Sequence, residues 1–332
     1  MARMTDGGFD SPLRIRLRTE FSQIGFGAVA VGPEVAALRA TMNARLMALA
    51  AVLPPRLAAE ARATLQGYSG GDGDFFRLFY VPIWSFLHWL PAVGRGVAPD
   101  PKVTEAAREA HGLSLFLHLW DDHLCDGQLA TDLLRLHLRT TAWHRFSSLS
   151  EELGRRVGVG HGVVETHVAD YLDSLHHPAP VTDVGAYSRQ FCRQIGIWTL
   201  TPRLLGQAVG GPEIAAAAVQ CIVSFAVAWR LLDDIQDIHQ DVMEGKQTAV
   251  WLELDDTGRR CWSACRAASG AAGQLDPATW SELAAVVRES GCLQRLLGHV
   301  AGHLRSAAAT AAAQGWGGMA SELEQCRLGL PR

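Results

Sequence analysis

The sequence predicts a single all-α domain, and three observations support this prediction. Ala, Leu and Arg dominate, alternating strand patterns are nearly absent, and helix start signals recur along the chain. The connecting loops are too short to be domain linkers. A length of 332 residues, of which 48% are hydrophobic, suits a large core, a greasy cavity, or both. We therefore expect one bundle of roughly ten or more helices.

The helix signals place the predicted elements in order. A Gly-Pro-Glu run at residues 32–34 opens an amphipathic segment that runs to about Val52, with the proline at a favourable first helical position. Pro101 precedes a long helix that carries a cluster of aspartates, and Asp276 is the predicted N-cap of a late helix. The other predicted helices cover residues 54–67, 131–146, 161–176, 183–205, 212–238 and 292–314.

Composition excludes several classes of protein. The net charge of -4 gives no reason to expect a nucleic-acid partner. The seven cysteines form no CxxC pair, so reduced thiols in a cytoplasm are the simplest interpretation. Residues 1–21 contain arginines without the apolar core of a secretion signal, and the apolar run at residues 79–93 is interrupted by two prolines. We expect a cytoplasmic protein with no transmembrane segment.

Two clusters of aspartates interrupt apolar helical stretches where a buried helix would carry leucines. Their members are Asp121, Asp122 and Asp126 in the first cluster, and Asp233, Asp234 and Asp237, followed by Asp241, in the second. Ionised carboxylates are rarely left in apolar surroundings unless they are paired or bind metal. Carboxylates four residues apart share a helical face and repel each other. We therefore expect each helix to be destabilised until cations arrive.

Acidic patches that face each other suit a cluster of Mg²⁺ ions, which take a few carboxylates and complete their octahedra with water and phosphate oxygens. The ligand implied is a diphosphate. If a diphosphate leaves such a site, its charge has to be neutralised. A carbocation left behind would require a dry pocket with aromatic faces, where cation–π attraction supplies about 2 kcal/mol or more. The candidate aromatic residues are Phe116, Trp120, Phe191, Trp198, Phe225 and Trp229.

Residues 121–126 and 231–237 resemble the two aspartate-rich motifs of the isoprenoid synthase superfamily, the fold of trans-prenyltransferases and class I terpene synthases. The Gly-Lys that follows the second motif is present in the run at residues 244–248. The resemblance implies an isoprenoid synthase domain at residues 31–328, built as a helical bundle around a central cavity. It also implies three Mg²⁺ ions, a prenyl diphosphate substrate and a homodimer. Residues 1–30 are expected to form a flexible N-terminal segment.

The resemblance also assigns roles to individual residues. The predicted catalytic metal ligands are Asp121, Asp122, Asp126, Asp233, Asp234 and Asp237. Lys246 is a predicted diphosphate contact, and Arg193 and Arg230 are candidates for the same role. The alternatives are a structural salt bridge for Arg193 and neutralisation of the acidic face for Arg230.

Four further residues near the motifs have two interpretations each. Phe116, Phe225 and Trp229 are candidates to line the substrate cavity, with packing in the core as the alternative. His118 precedes Asp122 by one helical turn. For His118 a satisfied core histidine is favoured over a partner of the motif.

The chain departs from chain-elongating synthases at two places. Those enzymes hold isopentenyl diphosphate with a Gly-Gly-Lys-Arg loop and with an arginine pair after the first motif. Here Gly70 and Gly71 are followed by Asp72 and Asp74, and residues 127–130 contain no arginine. Both losses fall on the second diphosphate site, so we expect isopentenyl diphosphate not to be a substrate.

The sequence therefore predicts a class I terpene synthase, a diphosphate lyase on a prenyltransferase-like scaffold, that ionises an allylic prenyl diphosphate and cyclises it. The alternative is a prenyltransferase with another acceptor, as in the moenomycin-type farnesyl transferases. A chain-elongating polyprenyl diphosphate synthase ranks lower, although Arg77 or Arg139 could rebuild the basic site from other positions. A non-catalytic subunit ranks last, because both aspartate motifs are intact.

Overall fold

The computed structural model describes residues 21–93, 99–125, 127–160, 162–177, 179–269 and 275–331. These residues form fifteen α-helices and no strand, which confirms the predicted all-α fold. The helices are α1 (Pro33–Ala48), α2 (Pro55–Tyr68), α3 (Pro82–Trp89), α4 (Pro101–Cys125), α5 (Leu133–Arg156), α6 (Gly162–His176), α7 (Val184–Gln194), α8 (Gly196–Gly210), α9 (Pro212–Gln236), α10 (Ile238–Glu244), α11 (Ala249–Glu253), α12 (Asp256–Ala267), α13 (Pro277–Glu289), α14 (Cys292–Ala313) and α15 (Gly317–Leu328).

Prolines and aspartates begin many of these helices. A proline occupies the first turn of α1, α2, α3, α9 and α13, where a missing N–H donor costs nothing. Four aspartate side chains accept a hydrogen bond from a backbone N–H at the starts of α5, α7, α12 and α13, namely Asp132, Asp183, Asp255 and Asp276. The predicted N-cap at Asp276 is therefore confirmed.

Helix α9 is the centre of the bundle and packs against both α8 and α14. Helix α4 packs against α8 and α5, and α15 packs against α14 and α3. His118 near the end of α4 and Trp229 near the end of α9 both contact Trp198 in the first turn of α8. The two helices that carry the aspartate clusters therefore end on the same side of the bundle.

One predicted helix is broken in the structure. The pattern over residues 183–205 predicted a single helix, but the chain turns at Ile195 and forms α7 and α8. His118 hydrogen bonds to the backbone of Gln194, the last residue of α7, and so provides a partner for a backbone group at the end of that helix. Gly196, at the start of α8, is a poor residue for a helix interior. A tertiary contact and a glycine thus divide a helix whose apolar pattern is continuous.

Two segments have the length and composition of a membrane span among the described residues, Pro33–Val52 and Pro212–Gln236. In the second segment, 61% of the most apolar window is buried inside the protein. The core helix of a soluble protein has the same properties, and α9 is the central helix here. The absence of a transmembrane segment and the homodimer both stay predictions.

Residues 21–31, which we call the N-terminal strap, pack against the C-terminal helix. The Gly27 N–H donates to the Cys326 carbonyl at 2.9 Å. A Cβ atom on Gly27 would lie 2.1 Å from the Gln325 carbonyl, so only glycine permits this approach. Residues 1–20 lie outside the described part of the chain.

Candidate active site

The two aspartate clusters stand on either side of an aromatic bridge. The ring of Trp198 lies 4.7 Å from the ring of His118 and stacks on Trp229 at 5.5 Å. His118 lies one turn before Asp122 on α4, and Trp229 lies one turn before Asp233 on α9. Side chains four residues apart share a helical face. Both clusters therefore lie one turn beyond the same three rings.

In the first cluster, neighbouring aspartates have different surroundings. Asp121 is 3% exposed and accepts two hydrogen bonds from the guanidinium of Arg139, one of them from Nη2 at 3.1 Å. The Tyr171 hydroxyl donates to Asp121 Oδ2 at 3.3 Å. Asp122 is exposed, and the predicted ligand Asp126 lies outside the described residues. One carboxylate of this cluster is therefore paired inside the protein and the next is open to solvent.

The second cluster contains a buried aspartate with the same kinds of partner. Asp234 is 2% exposed, and its Oδ1 lies 3.2 Å from Arg230 Nε and accepts from the Tyr187 hydroxyl at 3.0 Å. Its Oδ2 accepts from the Ala249 N–H at 3.0 Å. Burial raises the pKa of Asp234, and the positive charge of Arg230 opposes the rise. This carboxylate is fully partnered without a metal ion.

The expectation that like charges destabilise the helices until cations arrive stays a prediction for the carboxylates four residues apart. Asp121 and Asp234 belong to none of these pairs and are stabilised without a metal cation. Each carboxylate already has an arginine and a tyrosine hydroxyl as partners. A buried carboxylate held in this way contributes to the metal-free fold, and removing one partner would leave the other charge uncompensated.

The remaining aspartates of the second cluster differ in their exposure to solvent. Asp237 and Asp241 are buried, and Asp233 is partly exposed with one oxygen 4.0 Å from Arg230 Nη1. Asp241 Oδ2 is buried and has no hydrogen-bond partner among the described residues. Burial, reinforced by the charge of Asp234, raises the pKa of Asp241 well above its ordinary value. An orphaned buried carboxylate oxygen is a position that a cation would satisfy.

The metal ligands are not preassembled. No three Asp, Glu, His or Cys side chains in the described part of the chain are already grouped as ligands of one ion. The donors available around the two clusters are carboxylate oxygens, which are the ligands that Mg²⁺ prefers. Residues of both motifs therefore fit Mg²⁺ by chemistry, provided that the ion draws the carboxylates together. The number of ions stays a prediction.

The two predicted basic contacts other than Arg230 have different positions. The Lys246 N–H donates to the Asp241 carbonyl at 2.9 Å, which fixes Lys246 beside the second cluster. Its Nζ lies 2.8 Å from Glu244 Oε2. Arg193 instead pairs with Asp173 on α6 at 2.9 Å, and both side chains are exposed to solvent. The structure brings Lys246 to the cluster and directs Arg193 to a surface ion pair.

The predicted aromatic residues fall into two groups. Trp229 is part of the bridge beneath the clusters, where it stacks on Trp198. Phe116 is fully buried and packs on Trp120 at 4.7 Å. Phe225, two turns before Asp233, is also fully buried in the core of the bundle. Trp229 is thus the predicted aromatic residue nearest to the carboxylates of α9.

Sequence reasoning missed the two tyrosines. Tyr171 and Tyr187 lie 50 and 47 positions in sequence from the aspartates that they contact. No local spacing connects residues so far apart. A tyrosine on an otherwise apolar helix face was the only available signal, because a buried hydroxyl needs a partner.

His118 was interpreted as a satisfied core histidine, and the structure supports only half of that interpretation. Its ring is buried and hydrogen bonds to the backbone of Gln194, but Nδ1 has no partner among the described residues. Burial lowers the pKa of His118, so the neutral imidazole is favoured.

The acidic loop that replaces the basic loop of elongating enzymes is neutralised by arginines. Arg77 Nη1 lies 2.8 Å from Asp72 Oδ2, and Arg39 Nε lies 3.4 Å from Asp74 Oδ2. The Asn43 side chain also donates to Asp74 at 2.6 Å. The loop is therefore less negative than its sequence suggests, and two guanidinium groups lie beside it.

Comparisons with known proteins establish the architecture. No protein-family model matches the sequence, and no curated protein matches it either. A polyprenyl synthetase from Streptomyces coelicolor A3(2) superposes with a TM-score of 0.63 at 16% identity, covering 87% of this chain and 99% of that one. A geranylgeranyl pyrophosphate synthetase from Pyrococcus horikoshii Ot3 gives 0.66 at 12% identity, with 88% and 97% covered.

A third similar structure contains ligands. It is a geranylgeranyl pyrophosphate synthase from Corynebacterium glutamicum in complex with isoprenyl diphosphate and magnesium, with a TM-score of 0.57 at 12% identity. The superposition covers 90% of this chain and 99% of that chain. The TM-scores establish a common architecture. The sequence identities are too low to transfer an activity, so the function has to be argued from the residues of the site. The chain therefore has the all-α fold of the isoprenoid synthases.

Proposed function

We propose that this chain is a Mg²⁺-dependent enzyme that ionises an allylic prenyl diphosphate. The observation that carries the proposal is the position of the two aspartate clusters, on α4 and α9, each one turn beyond one aromatic bridge at the same end of the bundle. Carboxylates that would bind a divalent cation thus stand beside rings that would stabilise a cation formed from the substrate.

The metal-binding groups in this proposal are the carboxylates of the two clusters. Asp122 and Asp233 are the more exposed members, and Asp241 carries a buried oxygen that lacks a partner among the described residues. Bound Mg²⁺ would supply Lewis acidity toward the oxygens of the diphosphate leaving group. Arg230 and Lys246 would contact the same group, because they are the cations fixed next to the second cluster.

The rings beneath the clusters would receive the prenyl chain. Trp198 is fully buried and Trp229 is stacked on it, so the allylic cation would form against indole faces with little water present. Cation–π attraction in a desolvated site is worth about 2 kcal/mol or more. Exclusion of water would also protect the cation from premature capture.

We propose that cyclisation to a terpene follows ionisation. This finer assignment is supported by the aspartates at residues 72 and 74, where elongating enzymes carry Lys-Arg, and by the missing arginine pair after the first cluster. Transfer of the prenyl group to an acceptor other than isopentenyl diphosphate would use the same ionisation. In either case we expect a homodimer in the cytoplasm, as the resemblance implies.

Chain elongation is the second candidate function, and two observations favour it. The similar structures include polyprenyl and geranylgeranyl diphosphate synthases. In addition, Arg39 and Arg77 lie beside the loop that departs from the family pattern, so a second diphosphate would not meet an uncompensated negative charge there. The two candidates differ in whether isopentenyl diphosphate is consumed.

The test is an incubation of the purified protein with allylic diphosphates of increasing length, with Mg²⁺ and with or without isopentenyl diphosphate. Release of inorganic diphosphate and a cyclic hydrocarbon or alcohol from the allylic substrate alone would support cyclisation. A longer linear prenyl diphosphate would establish elongation instead. No consumption of any allylic diphosphate, with the protein folded, would contradict the proposal.

A further inference from the structure

The two aspartate clusters contain matching triads of an aspartate, an arginine and a tyrosine. The first triad is Asp121, Arg139 and Tyr171, and the second is Asp234, Arg230 and Tyr187. In each triad the carboxylate is almost completely buried, whereas the arginine side chain is about a third exposed, 32% in the first triad and 35% in the second. Both triads therefore connect the interior of the bundle to its acidic end.

We propose that Asp121 and Asp234 are positioning residues and not metal ligands, and that each holds an arginine for the diphosphate. Arg139 thereby becomes a second guanidinium contact, the counterpart of Arg230. The inference rests on the proposed function and divides its carboxylates into two groups, those that bind metal and those that orient an arginine.

Helix geometry separates the two groups. Successive side chains on an α-helix are about 100° apart, so Asp121 and Asp122 cannot point in the same direction. Asp122 is exposed, whereas Asp121 points between helices toward α5 and α6. On α9, Asp233 is partly exposed and Asp234 is buried. Each cluster thus has one inward and one outward carboxylate at adjacent positions.

The hydrogen bonds of Arg139 fix its orientation and leave one nitrogen available. Nε and Nη2 both donate to Asp121, a bidentate arrangement that holds the plane of the guanidinium. Nη1 makes no hydrogen bond to any described residue. A rigid guanidinium with free N–H groups is the usual protein device for phosphate recognition.

A metal ion on Asp121 would have to displace or weaken existing hydrogen bonds. Both carboxylate oxygens already accept from Arg139, and Oδ2 also accepts from the Tyr171 hydroxyl. Asp122 faces no such loss, because it is already exposed. The outward carboxylates are therefore the better metal ligands.

The experiment compares the affinity for inorganic diphosphate with the affinity for Mg²⁺ by isothermal titration calorimetry. Arg139→Gln should weaken binding of inorganic diphosphate at saturating Mg²⁺ by about 10- to 100-fold, the value of a charge-assisted hydrogen bond. It should leave the Mg²⁺ concentration for half-saturation, measured at saturating diphosphate, nearly unchanged. Asp122→Asn should instead raise that Mg²⁺ concentration.

The decisive variant is Asp121→Asn, which should behave as Arg139→Gln does. If it instead raises the half-saturating Mg²⁺ concentration as Asp122→Asn does, Asp121 is a metal ligand and the inference is overturned. Arg139→Lys, which keeps the charge but not the bidentate geometry, should recover only part of the affinity and serves if Asp121→Asn is unstable. Arg145→Gln, on the same helix but paired with Glu109, is the matched control and should bind diphosphate normally.

The design also separates this inference from the proposed function. If the unmodified protein binds no diphosphate in the presence of Mg²⁺, the proposed function fails and this inference fails with it. If the unmodified protein binds diphosphate and Arg139→Gln binds it equally well, only the role of Arg139 is lost.

Discussion

The two aspartate clusters reach similar arrangements by different routes. In the second cluster, the arginine that pairs with Asp234 is Arg230, one turn earlier on the same helix. In the first cluster, Arg139 and Tyr171 reach Asp121 from α5 and α6. The ion pair of the second cluster therefore follows partly from residue spacing within one helix. The ion pair of the first cluster depends on how α4, α5 and α6 pack.

The most direct test of the two clusters is to remove one outward carboxylate from each. Asp122→Asn and Asp233→Asn should each lower the rate of diphosphate release by about 10²–10³-fold or more, because leaving-group charge would lose its stabilisation. Steady-state assays with an allylic diphosphate that the unmodified protein consumes measure this. Asp170→Asn, on an exposed face of α6, is the control and should retain full activity. If the variant in one cluster keeps near-normal turnover, only the other cluster binds metal.

A second prediction concerns the inward carboxylates and the stability of the metal-free protein. Asp234→Ala should lower the free energy of unfolding by about 3–5 kcal/mol, because it removes the buried carboxylate closest to Arg230 and leaves only Asp233, at 4.0 Å, beside that charge. It also removes the acceptor of the buried Ala249 N–H. Asp121→Ala should cost less, since it orphans no backbone group. Urea unfolding in EDTA measures both losses of unfolding free energy. A larger loss for Asp121→Ala than for Asp234→Ala would contradict this account of the two clusters.

The third prediction concerns the middle of α4. His111 is completely buried, its Nε2 hydrogen bonds to the Ile83 carbonyl, and burial lowers its pKa to about 4. The unfolded chain therefore binds a proton below pH 6.5, and the folded chain does so only near pH 4. Stability should fall by roughly 3 kcal/mol as the pH drops through this window.

His111→Gln places an amide N–H near the position of Nε2, so it keeps a donor for the Ile83 carbonyl and removes the titration. Urea unfolding of the variant between pH 7 and pH 4 should therefore show a smaller loss of stability than the unmodified protein. An equal loss in both proteins would place the acid sensitivity elsewhere in the fold.

The smallest expected effect is stabilisation by ligand. Mg²⁺ and inorganic diphosphate together, at about 100 times their dissociation constant, should stabilise the fold by about 2.7 kcal/mol and raise the Tm by a few degrees. Differential scanning calorimetry with and without EDTA measures the shift. Asp233→Asn should abolish most of it, whereas a full shift in that variant would exclude Asp233 as a ligand.

Much of the fold follows from local pattern. The apolar periodicity, the prolines of first turns and the N-cap at Asp276 predict most of the long helices correctly. The break at Ile195 was not predictable, because it depends on a contact between Gln194 and a histidine on another helix. The short helix α3 was not predicted, because two prolines interrupt the apolar run at residues 79–93.

The candidate site was predictable in its charges and not in its pairs. Helical spacing groups Asp233 with Asp237, and it places Arg230 beside Asp234. It carries no information about Arg139 or Tyr171, whose positions depend on packing between distant segments. The acidic character of a cluster can therefore be predicted from one helix. Which of its carboxylates pair with an arginine and which are exposed depends on the tertiary structure.

The contact between the N-terminal strap and the C-terminal helix gives the fold a clasp. Gly27 and Gly329 approach so closely that neither tolerates a side chain, and Gly27 is hydrogen bonded to Cys326. A force on the strap would load this clasp together with the hydrogen bond that the Gln236 side chain of α9 donates to the Ile24 carbonyl at 2.6 Å. The strap therefore couples the C-terminal helix mechanically to the helix that carries the second aspartate cluster.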